Sequence, residues 1–394
     1  MKKFLSAFLI LSLLLTFAAC GQPSEDSDVT EETETVIETE TENETETETE
    51  SETEMSNELK NTTYDLSLTE NVEQLKLYGR MSRTGMGLTC DFAASGIEFN
   101  VYAEGFISIG IECVAQTVES HKNDNIYLAV IVDGVRDARR FKVNKGESTT
   151  LDIAYFETAG EHNIQILRET EAKNGLLNLK SINLTGRLTD APKDADLYIE
   201  FIGDSITSGY GNLAQNGVSN AGSPDYKDAL SAYSYLTAKA LGADFSLVSI
   251  SGVGLTSSYR PMRAKALFEA QTYYRVSTVA YTPKRTPDVV VVNLGTNDEV
   301  RGADKAAYRQ DVAELIASIR AKYGDDIKIV WAYGMMNSNY ISEVNSVISG
   351  MDNIYTIELP NNREGANGHP NAATHILAAE RLSDFINSTV LGNS

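Results

Sequence analysis

Residues 197–202 form a β-type run, Leu-Tyr-Ile-Glu-Phe-Ile, that stops on Gly203-Asp204-Ser205-Ile206-Thr207-Ser208-Gly209-Tyr210. An apolar strand that ends on glycine and hands a serine to a sharp turn belongs to an open α/β sheet, where ligands bind beyond the carboxyl ends of the strands. The same turn presents the Ser205 hydroxyl together with its own backbone N–H. That is the geometry a nucleophile requires.

Three later segments extend the pattern. Residues 247–251 lead into Gly252, residues 289–294 lead into Gly295-Thr296-Asn297-Asp298, and Gly368-His369-Pro370 lies near the chain end. In this order the four segments closely resemble the sequence blocks of the SGNH (GDSL-like) hydrolases. The resemblance implies Ser205 as nucleophile and His369 as base. It also implies an oxyanion hole built from the Ser205 N–H, the Gly252 N–H and the Asn297 side chain, each donor worth about 3 kcal/mol of transition-state stabilisation. Gly254 competes with Gly252, because both stand in Ser249-Ile250-Ser251-Gly252-Val253-Gly254. Asp204 and Asp298 read as residues that brace these turns.

The chain departs from the family pattern at the third triad member. An aspartate is usual two or three residues before the histidine, and Asn367 and Ala366 stand there instead. Glu364 is the nearest acid, at an unfamiliar offset. A Ser205–His369 dyad is therefore expected, with the imidazole N–H held by a backbone carbonyl or the Asn367 amide. His375 shares an apolar helix face with Ala379, Leu382 and Ile386 and reads as a half-buried packing residue. His121 and His162 read as surface residues.

Beyond residue 195 the pattern alternates between strands and helices. Strands are expected at 197–202, 244–250, 288–294, 328–332 and 353–359. The clearest helix, 304–322, puts Tyr308, Val312, Leu315, Ile316 and Ile319 on one face. Nearly all-apolar strands alternating with helices predict a three-layer α/β domain with a parallel sheet over residues 195–394. Residues 61–188 instead show a period of two, as in Ile97/Phe99/Val101/Ala103, with a two-residue hairpin expected at Asp133-Gly134 and a turn at Lys145-Gly146. This predicts an all-β sandwich of jelly-roll type, so the chain is multidomain, with the Pro- and Asp-containing stretch 189–196 as linker.

The amino-terminal region constrains location. Lys2 and Lys3, an apolar run 4–15 and Thr16-Phe17-Ala18-Ala19-Cys20 read as a signal peptide, too short for a spanning helix. The stretch resembles a bacterial lipobox with Cys20 as the lipidated residue, although Phe17 replaces the usual leucine. A membrane-anchored, extracytoplasmic surface lipoprotein is expected. Residues 21–60 read as a disordered tether, since 21–54 is Glu/Thr repeat without Lys or Arg. Fifteen acids fall in that repeat, so the remainder past Lys3 carries −10 of the formal −23. A nucleic-acid partner is disfavoured, because phosphate binding needs a basic face. No Cys/His spacing suggests zinc, and no cofactor is expected. Cys113 falls in phase with Ile107, Ile109 and Ile111 as a buried thiol, and a Cys90–Cys113 disulfide, permitted by export, is left open.

A jelly-roll ahead of an SGNH domain, with Gly203 to Asn212 reading GDSITSGYGN, resembles carbohydrate esterase family two. That resemblance implies a serine acetyl esterase acting on acetylated plant polysaccharides of the xylan or mannan kind, and a monomer is expected. Tyr210, Tyr259 or Trp331 would stack on a sugar, although Trp331 sits in a strand pattern that favours the core. The alternative is a surface glycan-binding lipoprotein with a vestigial hydrolase domain.

Overall fold

The computed structural model describes residues 59–114, 125–220, 222–273 and 279–393. The expected leader with Cys20, the Glu/Thr run 21–54 and His121 lie outside the described residues.

Every described pairing between Asn61 and Leu188 is antiparallel. Three long strands organise this part: Gly96–Val114, Ser148–Arg168 and Leu176–Leu188. They pair along their lengths through register shifts between Ala103 and Gly105 and between Leu179 and Ser181, the bulges that let long strands bend. Alternation decides what is inside. Ile97, Phe99, Val101, Ala103, Ile107, Ile109 and Ile111 are fully buried, as the pleat requires. The hairpin falls at Asp133 and Gly134, both at positive φ, between the paired Val132 and Val135.

Cys90 and Cys113 are both buried free thiols. Both pair with Leu177, one from each side, so they stand two strand spacings apart, roughly 9.5 Å. A disulfide needs α-carbons within about 7 Å, and the register therefore forbids the bridge.

The second part is a five-stranded sheet in the order Asp244–Ser249, Tyr198–Gly203, Val289–Asn293, Lys328–Gly334, Ile354–Leu359, with all pairs parallel. Helices cover both faces. Tyr233–Ala240 and Ala372–Phe385 pack on one side through Tyr233, Ala238, Ala378 and Leu382. Helix Lys305–Tyr323 packs on the other, burying Tyr308, Val312, Leu315, Ile316 and Ile319, the face that its 3.6-residue period defines. Asp304 caps it by accepting from the Ala307 N–H at 2.9 Å.

Buried charge joins the two parts. Arg80, from the antiparallel part, donates to the Phe268 and Ala270 carbonyls at 2.7 and 2.5 Å and pairs with Glu200 of the first parallel strand at 3.1 Å. Neither side chain of that pair is exposed. The turn at 169–175, between the last two long strands, reaches further still. Arg136 and Arg140 hold Glu169 from one side, and Glu171 enters the loop that follows strand Asp244–Ser249.

Candidate active site

Ser205, Gly252 and Asn297 follow the carboxyl ends of three adjacent strands, so the parallel register gathers them at one rim of the sheet. His369 comes from the far end of the chain. It precedes helix Ala372–Phe385, whose first turn Asn371 caps through the Thr374 N–H at 3.0 Å.

His369 Nε2 lies 2.8 Å from Ser205 Oγ, and Nδ1 faces the Ala366 carbonyl oxygen at 3.1 Å. With Nδ1 bearing the hydrogen towards that acceptor, Nε2 is left with its lone pair towards the serine. Burial pushes the imidazole pKa down from its usual value to about 4, against the upward pull of the Ala366 and Asn367 backbone. The ring is thus neutral at ordinary pH, with the Nε2 lone pair free to accept a proton. Glu364 is exposed, and its carboxylate accepts from Asn371 Nδ2 at 3.2 Å. The Asn367 amide instead donates to the Tyr210 hydroxyl at 3.0 Å.

Asp204 and Asp298 organise the surrounding turns. Asp204 accepts from the Ile206 N–H at 3.0 Å and from Asn297 Nδ2 at 2.9 Å. Complete burial, with Asp298 close by, raises its pKa to about 7 despite those donors. Asp298 accepts three backbone N–H groups, from Leu255, Thr256 and Ser257, at 2.7 to 2.9 Å. The second hydrogen of the Asn297 amide goes to the Val253 carbonyl at 2.8 Å. Both hydrogens of that amide are therefore engaged.

The two candidate glycines differ in kind. Gly252 has φ +85 and carries an N–H with no partner among the described residues. Gly254 is pressed against the Ser257 carbonyl, which a Cβ would meet at 2.1 Å, so its missing side chain serves close packing. Ser205 and Gly252 thus bring to the rim two backbone N–H groups that have no partner among the described residues.

Of the three aromatics, Trp331 is fully buried inside its strand and donates to the Leu294 carbonyl. It cannot meet a sugar, because the parallel sheet is covered on both faces. Tyr259 is 51% exposed beside Gly252, with the Arg301 guanidinium over its ring. Tyr210 packs against the His369 ring at 4.5 Å, with the Lys173 and Lys227 ammonium groups within about 5 Å of its ring. His375 is fully buried, not half-buried, and its Nδ1 accepts the Tyr233 N–H at 3.0 Å. It holds the start of a helix as well as filling the core.

Glu171, Lys173, Lys227 and Arg260 escaped the sequence reading. None belongs to a motif, and Glu171 meets Ser251 80 residues away and Lys227 56 residues away. Glu171 is fully buried and accepts the Ser251 N–H and hydroxyl, both at 2.7 Å.

Known proteins share this organisation. Residues 201–385 match the GDSL-like lipase/acylhydrolase family and residues 77–192 match the carbohydrate esterase 2 N-terminal domain. The chain is 31% identical over 321 residues to the cellulase/esterase CelE of Acetivibrio thermocellus, covering 75% of this chain but only 37% of that relative's length. It is 23% identical over 275 residues to an acetylxylan esterase/glucomannan deacetylase of Cellvibrio japonicus, covering 66% of this chain and 76% of that protein. Among solved structures it resembles a family two carbohydrate esterase from Clostridium thermocellum in complex with cellohexaose, with TM-score 0.73, 29% identity and coverage of 81% and 99%. An acetyl xylan esterase from the rumen bacterium Butyrivibrio proteoclasticus shares the fold, with TM-score 0.74, 22% identity and coverage of 84% and 99%.

Proposed function

The chain belongs to the GDSL-like lipase/acylhydrolases and carries a carbohydrate esterase 2 N-terminal domain, the organisation of the family two carbohydrate esterases, and on that premise we propose that it removes O-acetyl groups from plant-type polysaccharides through a serine acyl-enzyme. The observation that carries the reading is the 2.8 Å contact between Ser205 Oγ and His369 Nε2. Ser205 Oγ bonds to the acetyl carbonyl carbon while its proton passes to Nε2. The resulting imidazolium keeps its Nδ1 hydrogen on the Ala366 carbonyl. The oxyanion forms opposite the Ser205 and Gly252 N–H groups, and Asn297 joins them by giving up one of its present acceptors. Collapse breaks the bond to the sugar oxygen, which takes the proton from Nε2. Water then releases acetate by the same steps in reverse.

Xylan- or mannan-type substrates are favoured by the acetylxylan esterase and glucomannan deacetylase among the relatives. Tyr259 is the aromatic best placed to meet a sugar ring. A vestigial hydrolase domain is not favoured, since the serine and histidine stand in hydrogen-bonding contact. The antiparallel domain is read as a jelly-roll on the strength of its long bent strands. Export, with lipid attachment at Cys20, completes the reading, and incorporation of labelled palmitate that Cys20→Ala abolishes would support it.

The deciding experiment measures acetate released from acetylated xylo- and manno-oligosaccharides by the protein and its Ser205→Ala variant. Release by the first and not the second is expected. Turnover of 4-nitrophenyl acetate without release from either glycan would overturn the substrate class, and no turnover of any ester would overturn the esterase reading.

A further inference from the structure

Ser251 and Gly252 share one peptide group, and two side chains fix it, Arg260 from the same loop at its carbonyl and Glu171 from 80 residues away at the Ser251 N–H and hydroxyl that precede it. Arg260 Nε donates to the Ser251 carbonyl oxygen at 2.6 Å. In a planar trans peptide the carbonyl and the following N–H point in opposite directions, so an oxygen fixed on Arg260 turns the Gly252 N–H away from the guanidinium. That N–H has no partner among the described residues, while the Gly252 carbonyl accepts from the Tyr259 N–H at 2.8 Å and the Ser258 hydroxyl at 3.3 Å. Arg260 is itself tied into the same turn, its N–H donating to Ser258 Oγ at 3.0 Å.

Glu171 holds the other end. One carboxylate oxygen accepts the Ser251 N–H and the other the Ser251 hydroxyl, each at 2.7 Å. Lys227 Nζ and Lys173 Nζ lie 2.9 and 3.3 Å from the carboxylate, which has no exposed surface. Burial opposes its charge, but the two ammonium groups more than offset this and hold the carboxyl well below the usual range. An ionised acceptor therefore stands where two donors converge. The restraint matters because Gly252, at φ +85, has the backbone freedom to let this peptide turn over.

We propose that Arg260 and Glu171 are positioning residues that lock the Ser251–Gly252 peptide with its N–H presented to the oxyanion, so that the carbohydrate esterase 2 N-terminal domain, through Glu171, completes the hydrolase site. This rests on the oxyanion role given above to Gly252. A lone fold-joining contact would not pin both the N–H before this peptide and the carbonyl within it. Losing an oxyanion donor altogether costs about a hundredfold to a thousandfold in kcat, and loosening one costs part of that.

The test uses the full chain and its Arg260→Gln and Glu171→Gln variants, assayed on 4-nitrophenyl acetate. It is paired with inhibition by a small alkyl boronic acid, whose tetrahedral Ser205 adduct places an oxygen in the hole. Arg260→Gln is expected to lower kcat about tenfold to a hundredfold with KM within about twofold, and to raise the boronate Ki by a similar factor. Should Glu171→Gln fail to fold, Arg260→Gln carries the test alone, since its side chain is only partly buried. A merely structural role would lower the active fraction, and with it the apparent kcat, while leaving Ki unchanged, and that result overturns the proposal. So does wild-type kcat in Arg260→Gln. A wild-type chain inert towards the ester would instead overturn the functional reading beneath it.

Discussion

The Ala366 carbonyl oxygen stands 3.1 Å from His369 Nδ1, where a Ser-His-Asp triad places its carboxylate. Ala366 is fully buried, and its N–H is in turn held by the Gly211 carbonyl at 3.1 Å, so the acceptor is as fixed as a side chain would be. A carbonyl orients the imidazole and selects its tautomer without supplying a charge. Orientation and charge, which a triad acid provides together, are separated in this protein.

Among the described residues no carboxylate is hydrogen-bonded to the ring, so there is no triad acid to lose, although the Glu171 charge also pulls the imidazole pKa up. Glu364→Gln is expected to cost less than roughly tenfold in kcat/KM, about 1.4 kcal/mol. Asn367→Ala, which removes the contact to the Tyr210 hydroxyl and places alanine at φ +52, should fall within the same limit. His369→Ala should cost at least a thousandfold, in line with loss of a catalytic base. Steady-state kinetics on 4-nitrophenyl acetate decide it, and a Glu364→Gln loss close to that of His369→Ala would contradict the dyad.

Activity should persist into acid. The base is the neutral imidazole, and burial sets its pKa at about 4 against an ordinary value near 6.5. The acid limb of kcat/KM is expected near pH 4, and a midpoint at 6.5 would contradict it. Stability is a poorer reporter, because two groups oppose each other. With its pKa depressed, His369 contributes stability that is complete above about 6.5 and is lost as pH falls towards 4. Asp204, raised to about 7, contributes stability that is complete below its ordinary value near 3.8 and is lost as pH rises through 7. The kinetic profile is the measurement to make.

What could be read from the sequence was whatever depends on neighbours in the chain. Strand Tyr198–Gly203 and the turn at Ser205 are written in consecutive residues, and the buried face of helix Lys305–Tyr323 follows from its period alone. The pairing of Ser205 with His369 spans 164 residues, yet the block order of the resembled hydrolases bridges it. No such order exists for Glu171 and Ser251, 80 residues apart, so that contact appears only in three dimensions. Trp331 shows two signals in conflict, in which residue type suggested a sugar platform while the strand pattern favoured the core, and the side chain is fully buried in an inner strand of the covered sheet.

Thiol chemistry gives an independent test of the register in the antiparallel domain. Cys90 and Cys113 flank Leu177 from opposite sides, and burial pushes the Cys90 thiol up to about 12. Both thiols should be silent to a disulfide reagent in the native fold, and both should react once denaturant is added without reductant. A chain beginning at residue 57 leaves Cys20 out of the count. Fewer than two reactive thiols in denaturant would mean that a bridge had formed, and the register would be wrong.

The Arg80–Glu200 pair makes the sharpest stability prediction. Both side chains are fully buried, and Glu200 has as its other partner the Tyr323 hydroxyl at 2.7 Å. Arg80→Ala strands a carboxylate in the core and frees the Phe268 and Ala270 carbonyls, so a loss of about 3–5 kcal/mol is expected. The desolvation of two charges offsets much of what their attraction returns, which is why replacing the whole pair costs less than breaking it. Arg80→Met with Glu200→Leu should recover most of the loss, because it removes both charges and keeps the volume. Urea denaturation of the single and double variants measures the difference. If Arg80→Ala were within about 1 kcal/mol of the parent, water or rearrangement would be satisfying Glu200, and the two domains would be joined by apolar packing and the Glu171 contacts instead.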